Sequence, residues 1–529
     1  MKRWHLQAGR DRAGRSTRLT VEPLEGRMLL STVKAVRTTI PAAHKPPPSE
    51  KQLFPPYQIT AQINANSDPS GSGYLFQKNV EISGVAPPYS TVWLAIGTEP
   101  GYFTNVARAD GYGDYAFLVP VPSGTTKLQV FAENLAQDYS DIATVTVNQS
   151  NPIVAWDAIA LRAIRNANLT APEAARDLAI LHAAQYDAVF DISSPKQAYQ
   201  VHLTAPKGAS AEAAANSAAE TTLAALFPAQ SQAFANGLNA AVAGLPTNKS
   251  TTNGLAFGKL VARQTLANRA NDGSTGSVTL APSATPGKWR PTPPTYAQPT
   301  NLQFAKVTPF VISSPSEFRP AAPPAVGSAT YDEALTQVAS LGRSNSTTRT
   351  RQQTAAAQFW NDGVGSFTNP GHWNAIAETV AVSRKDSLLK DAKLFAQLDF
   401  ALADAAIATT DSVVNSDEWR PITAIQQADP TFAPLLNTPA SPGYVADHAA
   451  YGAAASSVLS AAFGANTKFT DKLYASTGVT RTFTSFAQAA TEDANSRIWG
   501  GVNFSFDTQA GSTLGAQVGK AVLAGFPKK

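Results

Sequence analysis

The sequence predicts a mainly α protein in which a helical-bundle domain is preceded by a small all-β sandwich. Three observations carry that expectation. Between Tyr57 and Val147 apolar side chains recur at every second residue, as in Tyr115/Phe117/Val119 and Ala143/Val145/Val147. From about residue 150 onward the spacing lengthens to that of helices and stays there. A hydrophobic content of 43% against 15% charged, over 529 residues, provides apolar surface for a large core.

Taken in order, residues 1–32 form a basic segment holding Lys2, Arg3, Arg10, Arg12, Arg15 and Arg18, without the apolar run of an ordinary signal peptide. Its end, VEPLEGRMLLS (Val21–Ser31), resembles a short sorting-type motif of exported and envelope proteins of planctomycete-like bacteria, which implies a destination and no chemistry; a plain basic arm is the alternative. Residues 33–56 carry Pro41, Pro46, Pro47, Pro48, Pro55 and Pro56, the composition of a semi-extended linker. Residues 57–149 then hold Val80/Ile82, Val92/Leu94/Ile96 and Leu128/Val130, separated by turn clusters such as Asp110–Asp114 (DGYGD). The run DGYGDYAFLVPVPSGTTKLQVFAEN (Asp110–Asn134) resembles bacterial Ig-like modules, which implies a spacer or an envelope or matrix contact. Asp110 and Asp114 are placed for turn building, with calcium binding as the alternative.

Residues 150–529 read as one all-α domain or two fused bundles. Thr170, Pro172 and Glu173 form a helix start of capping-box type, and the helix that follows aligns Leu178, His182, Tyr186 and Val189, with His182 read as a satisfied core histidine. Further helices are expected at Ala211–Phe227, Gly254–Arg269, Tyr331–Leu341, Arg349–Trp360 and Ser387–Val413. Pro286–Pro294 and Ser313–Pro324 are too rich in proline for helix and are expected to wrap the surface.

Several function classes are excluded or disfavoured. The absence of cysteine removes disulfides, thiolate metal sites, iron–sulfur clusters and a cysteine nucleophile. A net charge of +4, much of it near the N-terminus, makes no case for nucleic acid. The sequence has no apolar run of membrane-spanning length, and no metal ligand set is picked out.

Chemistry is concentrated in three segments: SDEWRPITAI (Ser416–Ile425), GYVADHAAYGAA (Gly443–Ala454) and NSRIWGGVNFSFD (Asn495–Asp507). Arginine forks match the oxygens of a tetrahedral anion, and an imidazole at a loop-to-helix junction can move a proton beside it. His448 is therefore the candidate catalytic residue, and Arg420 and Arg497 are the candidate oxyanion-binding residues.

These segments resemble the site motifs of the vanadium-dependent haloperoxidases and type 2 phosphatidic-acid phosphatases. PGKWRPTPP, VTPFVISSPSEFRPAAPPA (Val307–Ala325), FWNDGVGSFTNPGHWNAIA (Phe359–Ala377) and DAAIATTD (Asp404–Asp411) resemble bacterial haloperoxidase-like proteins in the same order. The resemblance implies a helical bundle, vanadate as cofactor, and an oxyanion, peroxide or halide as small-molecule partner. Its pattern places lysine where Val413 stands, Pro-Ser-Gly where Val445-Ala446-Asp447 stands, and a histidine where Asn503 stands. Those replacements remove a cation, a hydroxyl and an imidazole ligand or nucleophile, and they add a carboxylate. Loss of one anion-stabilising donor commonly costs about 10²–10³ in rate. The expected function is thus an exported or envelope protein of this fold with a degenerate oxyanion site at Val413, Ala446, Asp447 and Asn503. The alternatives are an enzyme with a rearranged site, and a binding or structural protein. On the first reading Arg420 is free to bridge Asp447, Asp417 or Glu418, and Arg497 to cap nearby carbonyls. His372, beside Trp373, is read as structural.

Overall fold

The computed structural model describes residues 58–527, apart from 65–67, 69–72, 77, 98–102, 104, 135 and 472–478, together with two N-terminal strands. Those strands, β1 (Gln7–Arg10) and β2 (Ser16–Thr20), pair antiparallel within a unit spanning Met1–His44. The sorting-type motif and the whole of the 33–56 linker lie outside the described residues.

In the second unit, two sheets face each other across one apolar layer. One sheet has the order β3 (Gln62–Ile63), β5 (Asn79–Val85), β8 (Asp114–Pro120). The other runs β4 (Tyr74–Leu75), β10 (Ala143–Gln149), β9 (Gly124–Glu133), β6 (Thr91–Ile96), β7 (Asn105–Arg108). The alternation seen in the sequence is the cause: Val80, Ile82, Phe117 and Val119 from one sheet meet Val92, Leu128, Val130 and Val147 from the other. Asp110 builds its turn, its Oδ1 accepting from the amides of Tyr112 at 2.8 Å and Asp114 at 2.9 Å.

The chain leaves β10 directly into α1 (Pro152–Ala167), capped by Asn151, whose Oδ1 accepts from the Ile153 amide at 3.0 Å. α2 (Ala171–Ser193) starts as expected, with Glu173 accepting from the Thr170 amide at 2.9 Å. α3 (Ala211–Leu226), α4 (Ser231–Ala243) and α5 (Lys249–Arg269) complete the first layer. α5 begins earlier than Gly254 because Asn248 caps it, accepting from Thr251 N at 3.0 Å, although the following KSTTNG reads locally as loop. After α6 (Ala329–Leu341), α7 (Arg351–Phe359) and α8 (Thr368–Arg384) comes α9 (Leu388–Ser416). Every residue of α9 from Leu394 to Val413 is buried, so it is the central column of the bundle. α10 (Pro421–Ile425), α11 (Asp447–Phe463), a hairpin of β11 (Phe469–Asp471) with β12 (Arg481–Phe483), α12 (Phe486–Trp499) and α13 (Ser505–Gly525) follow.

The proline-rich segments are irregular, as expected, but they do more than wrap the surface. Trp289 is fully buried; its amide donates to Asp417 O at 3.0 Å, and the Trp419 amide donates to Gly287 O at 3.2 Å. Asp404 of α9 accepts the amides of Phe310, Val311 and Ile312 at 2.6, 2.8 and 2.9 Å. Arg319 forks onto Asp411 at 2.6 and 2.7 Å. These contacts fix the approach to Arg420 from one side.

α11 and α13 approach closely because Gly511, Gly515 and Gly519 recur every fourth residue. A Cβ on Gly511 would lie 2.4 Å from Ala446 O, and one on Gly515 would lie 2.0 Å from Ala450 O. The glycine stripe thereby sets where the first turn of α11 sits.

Candidate functional site

Arg420 is the N-cap of α10, with Pro421 at the first helical position, where its missing N–H costs nothing. The preceding Asp417 ends α9 in a left-handed conformation with φ 51°, turning the chain toward the site. The buried guanidinium is engaged at all three nitrogens. Its Nε donates to Ser441 O at 2.8 Å, Nη2 to Ser441 Oγ at 3.0 Å, and Nη1 to Val502 O at 3.0 Å and Asn503 Oδ1 at 3.2 Å. The expected bridge to Asp447, Asp417 or Glu418 is thus replaced by loop oxygens, because the 441 and 502–503 loops reach the fork first. Burial lowers the Arg420 pKa to about 10, with Arg497 adding like-charge repulsion and Asp447 and Asp507 opposing.

Asn503 is buried and equally committed. Its Nδ2 donates to Gly443 O at 2.8 Å and to Asp507 Oδ2 at 3.1 Å, while its Oδ1 accepts from Arg420. Burial raises Asp507 to about 7 against the donors Asn503 and the Phe504 amide, and burial with Asp507 nearby raises Glu418 to about 10.

Asp447 and His448 open α11, where backbone N–H groups and the helix dipole favour negative charge. The Asp447 carboxylate accepts from the His448 amide at 2.9 Å. Burial alone would raise its pKa, but His448, Arg497 and Arg420 outweigh that and hold it below the ordinary carboxylate value. His448 directs Nδ1 at Asp493 Oδ1, 2.9 Å away, with Asn369 Nδ2 at 3.0 Å from the same nitrogen. Asp493 is fully buried and also receives Asn369 at 3.0 Å and Trp373 Nε1 at 3.3 Å. A carboxylate held this way favours the Nδ1–H tautomer, which leaves Nε2 as the ring nitrogen able to accept a proton.

Arg497 lies in the last turn of α12, one helical turn after Asp493. It is 3% exposed, yet its Nε and Nη1 have no hydrogen-bond partner, so its side chain does not cap carbonyls as anticipated. Burial lowers its pKa, while Asp447, Asp493 and Asp362 act against that. Ala446 is the N-cap residue of α11 and packs with Ala449 and Ala494. Val413 is buried near the end of α9, the end that Ser416 ties to Tyr444 O at 2.8 Å.

Sequence reasoning thus selected residues that the fold brings together: Arg420 touches Asn503, and Arg420, Arg497 and His448 all act on Asp447. It missed Asp493, Asn369, Ser441 and Asp507. Only Asp493 carried a signal, standing four residues before Arg497 in EDANSR.

Comparison with known proteins places this arrangement. The family described as the VCPO second helical-bundle domain matches residues 393–527, a stretch holding every candidate site residue. A vanadium chloroperoxidase of Curvularia inaequalis is 29% identical over 185 residues, 29% of this chain and 30% of that protein. The chain therefore spans less than a third of that relative's length in the match. Among solved structures, a bacterial vanadium-dependent iodoperoxidase aligns with TM-score 0.65 and 26% identity, covering 72% of this chain and 97% of its own. A bacterial vanadium-dependent chloroperoxidase in its holo form aligns with TM-score 0.55 and 15% identity, covering 67% and 92%, a likeness of fold. The family match over residues 393–527, the curated relative and the iodoperoxidase structure together support the vanadium haloperoxidase superfamily as the class this chain resembles.

Proposed function

We propose that this is a haloperoxidase-fold protein whose oxyanion site is degenerate, with vanadate or phosphate chemistry strongly reduced or lost. The observation that carries the reading is Asp447. Its carboxylate sits at the N-terminus of α11 and is kept ionised by His448, Arg497 and Arg420, so the protein supplies its own anion at the place a tetrahedral anion would need. The rest of the cradle fits vanadate poorly. Asn503 offers no imidazole, and its amide is tied to Gly443, Asp507 and Arg420. Val413 puts an apolar side chain where the resemblance expects a cation. The basic N-terminal segment with its sorting-type motif and the Ig-like pattern of residues 57–149 support an exported protein held at the envelope or in a matrix.

A second reading is favoured by Arg497 and His448. A buried guanidinium with two unpartnered donor nitrogens, which shares Asp447 with an imidazole oriented by Asp493, suits an anion that enters when Asp447 moves aside. That reading makes the chain an active haloperoxidase or phosphatase with a rearranged site. Orthovanadate and phosphate titration by calorimetry, with bromide–peroxide turnover and aryl-phosphate hydrolysis, separates the two. The degenerate site gives turnover no higher than His448→Ala. Bromination or dephosphorylation abolished by His448→Ala or Arg497→Ala would overturn it.

A further inference from the structure

Where the sandwich joins the bundle, a cavity of about 200 Å³ lies between the end of β10, the start of α1 and the α8–α9 turn. Gln149, Ser150, Asp386 and Asp391 line it, and each of these side chains is more than nine-tenths buried. Three of the four are anchored through one atom. Asn151 Nδ2 donates to Asp391 Oδ2 at 2.7 Å, Lys390 Nζ to Asp386 Oδ1 at 2.7 Å, and Gln149 Nε2 to Ser150 O at 3.3 Å. Asn151 Nδ2 also reaches Asp386 O at 3.3 Å, so one amide ties the two aspartate positions together.

The atoms left over are all oxygens. Asp386 Oδ2, Asp391 Oδ1, Gln149 Oε1 and Ser150 Oγ are buried without a hydrogen-bond partner among the described residues. Carboxylate oxygens and an amide carbonyl can only accept, so what meets them must be positive or rich in donors. Native folds leave few such atoms bare, and this group shares one cavity. The N-termini of α1 and α9 open beside it and would draw an anion, but Asn151 and Ser387 already cap them. The last turn of α8 contributes Ala381 and Val382, and the carbonyl end of a helix favours a cation. Exposed Glu212 adds a further carboxylate to the lining.

We propose that this cavity binds one hard divalent cation, calcium above all, through Asp386 Oδ2, Asp391 Oδ1 and Gln149 Oε1, with Ser150 Oγ and water completing the shell. Carboxylate, amide and hydroxyl oxygens without nitrogen or sulfur are the ligand set of a hard ion. Calcium takes about six to eight oxygens in a loose geometry, whereas magnesium demands a tight octahedron. The looser ion suits donors drawn from a strand end, an interhelical turn and the first turn of a helix. The cavity has room for several waters, so the protein supplies only part of the shell. Held there, the ion fastens the last strand of the sandwich to the α8–α9 turn of the bundle.

The cavity is partly open to solvent, so the ion exchanges with the folded chain. The full chain, stripped with a chelator and desalted, is titrated with Ca²⁺ by calorimetry. Its melting temperature is read with Ca²⁺, Mg²⁺ or K⁺ at matched ionic strength. The expected result is about one Ca²⁺ per chain with a Kd on the order of 10⁻⁴ M, and the highest melting temperature in Ca²⁺. Asp386→Asn and Asp391→Asn should each weaken Ca²⁺ binding by about tenfold or more, whereas Asp110→Asn, at the sandwich turn, should leave it unchanged. No binding by the wild type up to about 10 mM Ca²⁺ overturns the site, since water or the Lys385 ammonium would then serve the bare oxygens. Unchanged binding by Asp386→Asn, or loss in Asp110→Asn alone, overturns it equally by placing the ion elsewhere. Asp386 lies in a half-buried turn, so Asp386→Asn keeps the test decisive should Asp391→Asn fail to fold.

Discussion

Arg420 Nη1 donates to Asn503 Oδ1 at 3.2 Å, and the amide nitrogen of the same asparagine donates to Asp507 and Gly443. Asn503 thus joins a cation to an acid, a role that needs both faces of an amide. The single change Asn503→His is expected to leave vanadate unbound, because Asp447 still fills the cradle and Arg420 loses an acceptor. The combined variant Val413→Lys, Ala446→Ser, Asp447→Gly, Asn503→His is expected to bind orthovanadate measurably by calorimetry. A folded fourfold variant without binding would show that the site positions are misaligned with the family's pattern.

Asp447 neutralises Arg420 and Arg497, so Asp447→Asn leaves two buried guanidinium groups with less counter-charge. A loss of about 1–3 kcal/mol at pH 7 is expected, below the cost of breaking a fully buried pair because Asp447 is partly exposed. The sign with pH follows from the lowered pKa of Asp447. Its contribution is fully present above the unfolded value near 3.8 and is lost as pH falls through the folded value beneath it. Urea unfolding of both proteins at pH 7 and near pH 3 checks this, since the gap between them should narrow in acid. Phosphate should raise the melting temperature of Asp447→Asn more than that of the wild type.

The glycine stripe on α13 gives a packing prediction. A methyl group at Gly515 would sit 2.0 Å from a backbone oxygen, whereas at Gly519 its nearest neighbours are Ser457 Cβ at 2.8 Å and Ala454 O at 2.9 Å. Gly515→Ala is expected to cost about 3 kcal/mol, and Gly519→Ala about 1 kcal/mol, by chemical denaturation. Equal effects would contradict the close approach of α11 and α13.

The sheet alternation, the central helix and the three site segments were legible because each is a local pattern. Tyr115, Phe117 and Val119 alternate within one strand, and His448 follows Asp447 directly. What escaped depends on contacts across the fold. Asp493 and Asn369 reach His448 from α12 and α8, and no spacing in the sequence links them. Gly511, Gly515 and Gly519 weaken a helix reading by local propensity, although tertiary packing is what requires them. Trp289 sits in a proline-rich stretch whose backbone bonds go to Asp417 and whose role is invisible without that partner.

His372 offers a test in the alkaline direction. It lies between two buried aspartates, Nδ1 at 2.8 Å from Asp362 and Nε2 at 2.7 Å from Asp471, and stacks on Trp360 with ring centroids 4.5 Å apart. Burial opposes its charge, but the two carboxylates overcome that and raise its pKa well above 6.5. A raised pKa means that the folded state holds the proton more tightly. The stabilisation is fully present below the unfolded value near 6.5 and is lost as pH rises through the folded value. His372→Gln should therefore cost about 3–5 kcal/mol at pH 6, the price of uncoupling a buried ion pair. The penalty should shrink as pH climbs above 7, because the wild type loses its own contribution there while the variant has none to lose. Other raised groups, such as Asp391 at about 7 and Glu378 at about 8, tilt both proteins alike, so the difference between the two curves isolates His372. Unfolding free energies measured for both proteins from pH 6 to pH 10 give the answer, and a difference that stays constant over that range would mean the imidazole is neutral in the folded protein.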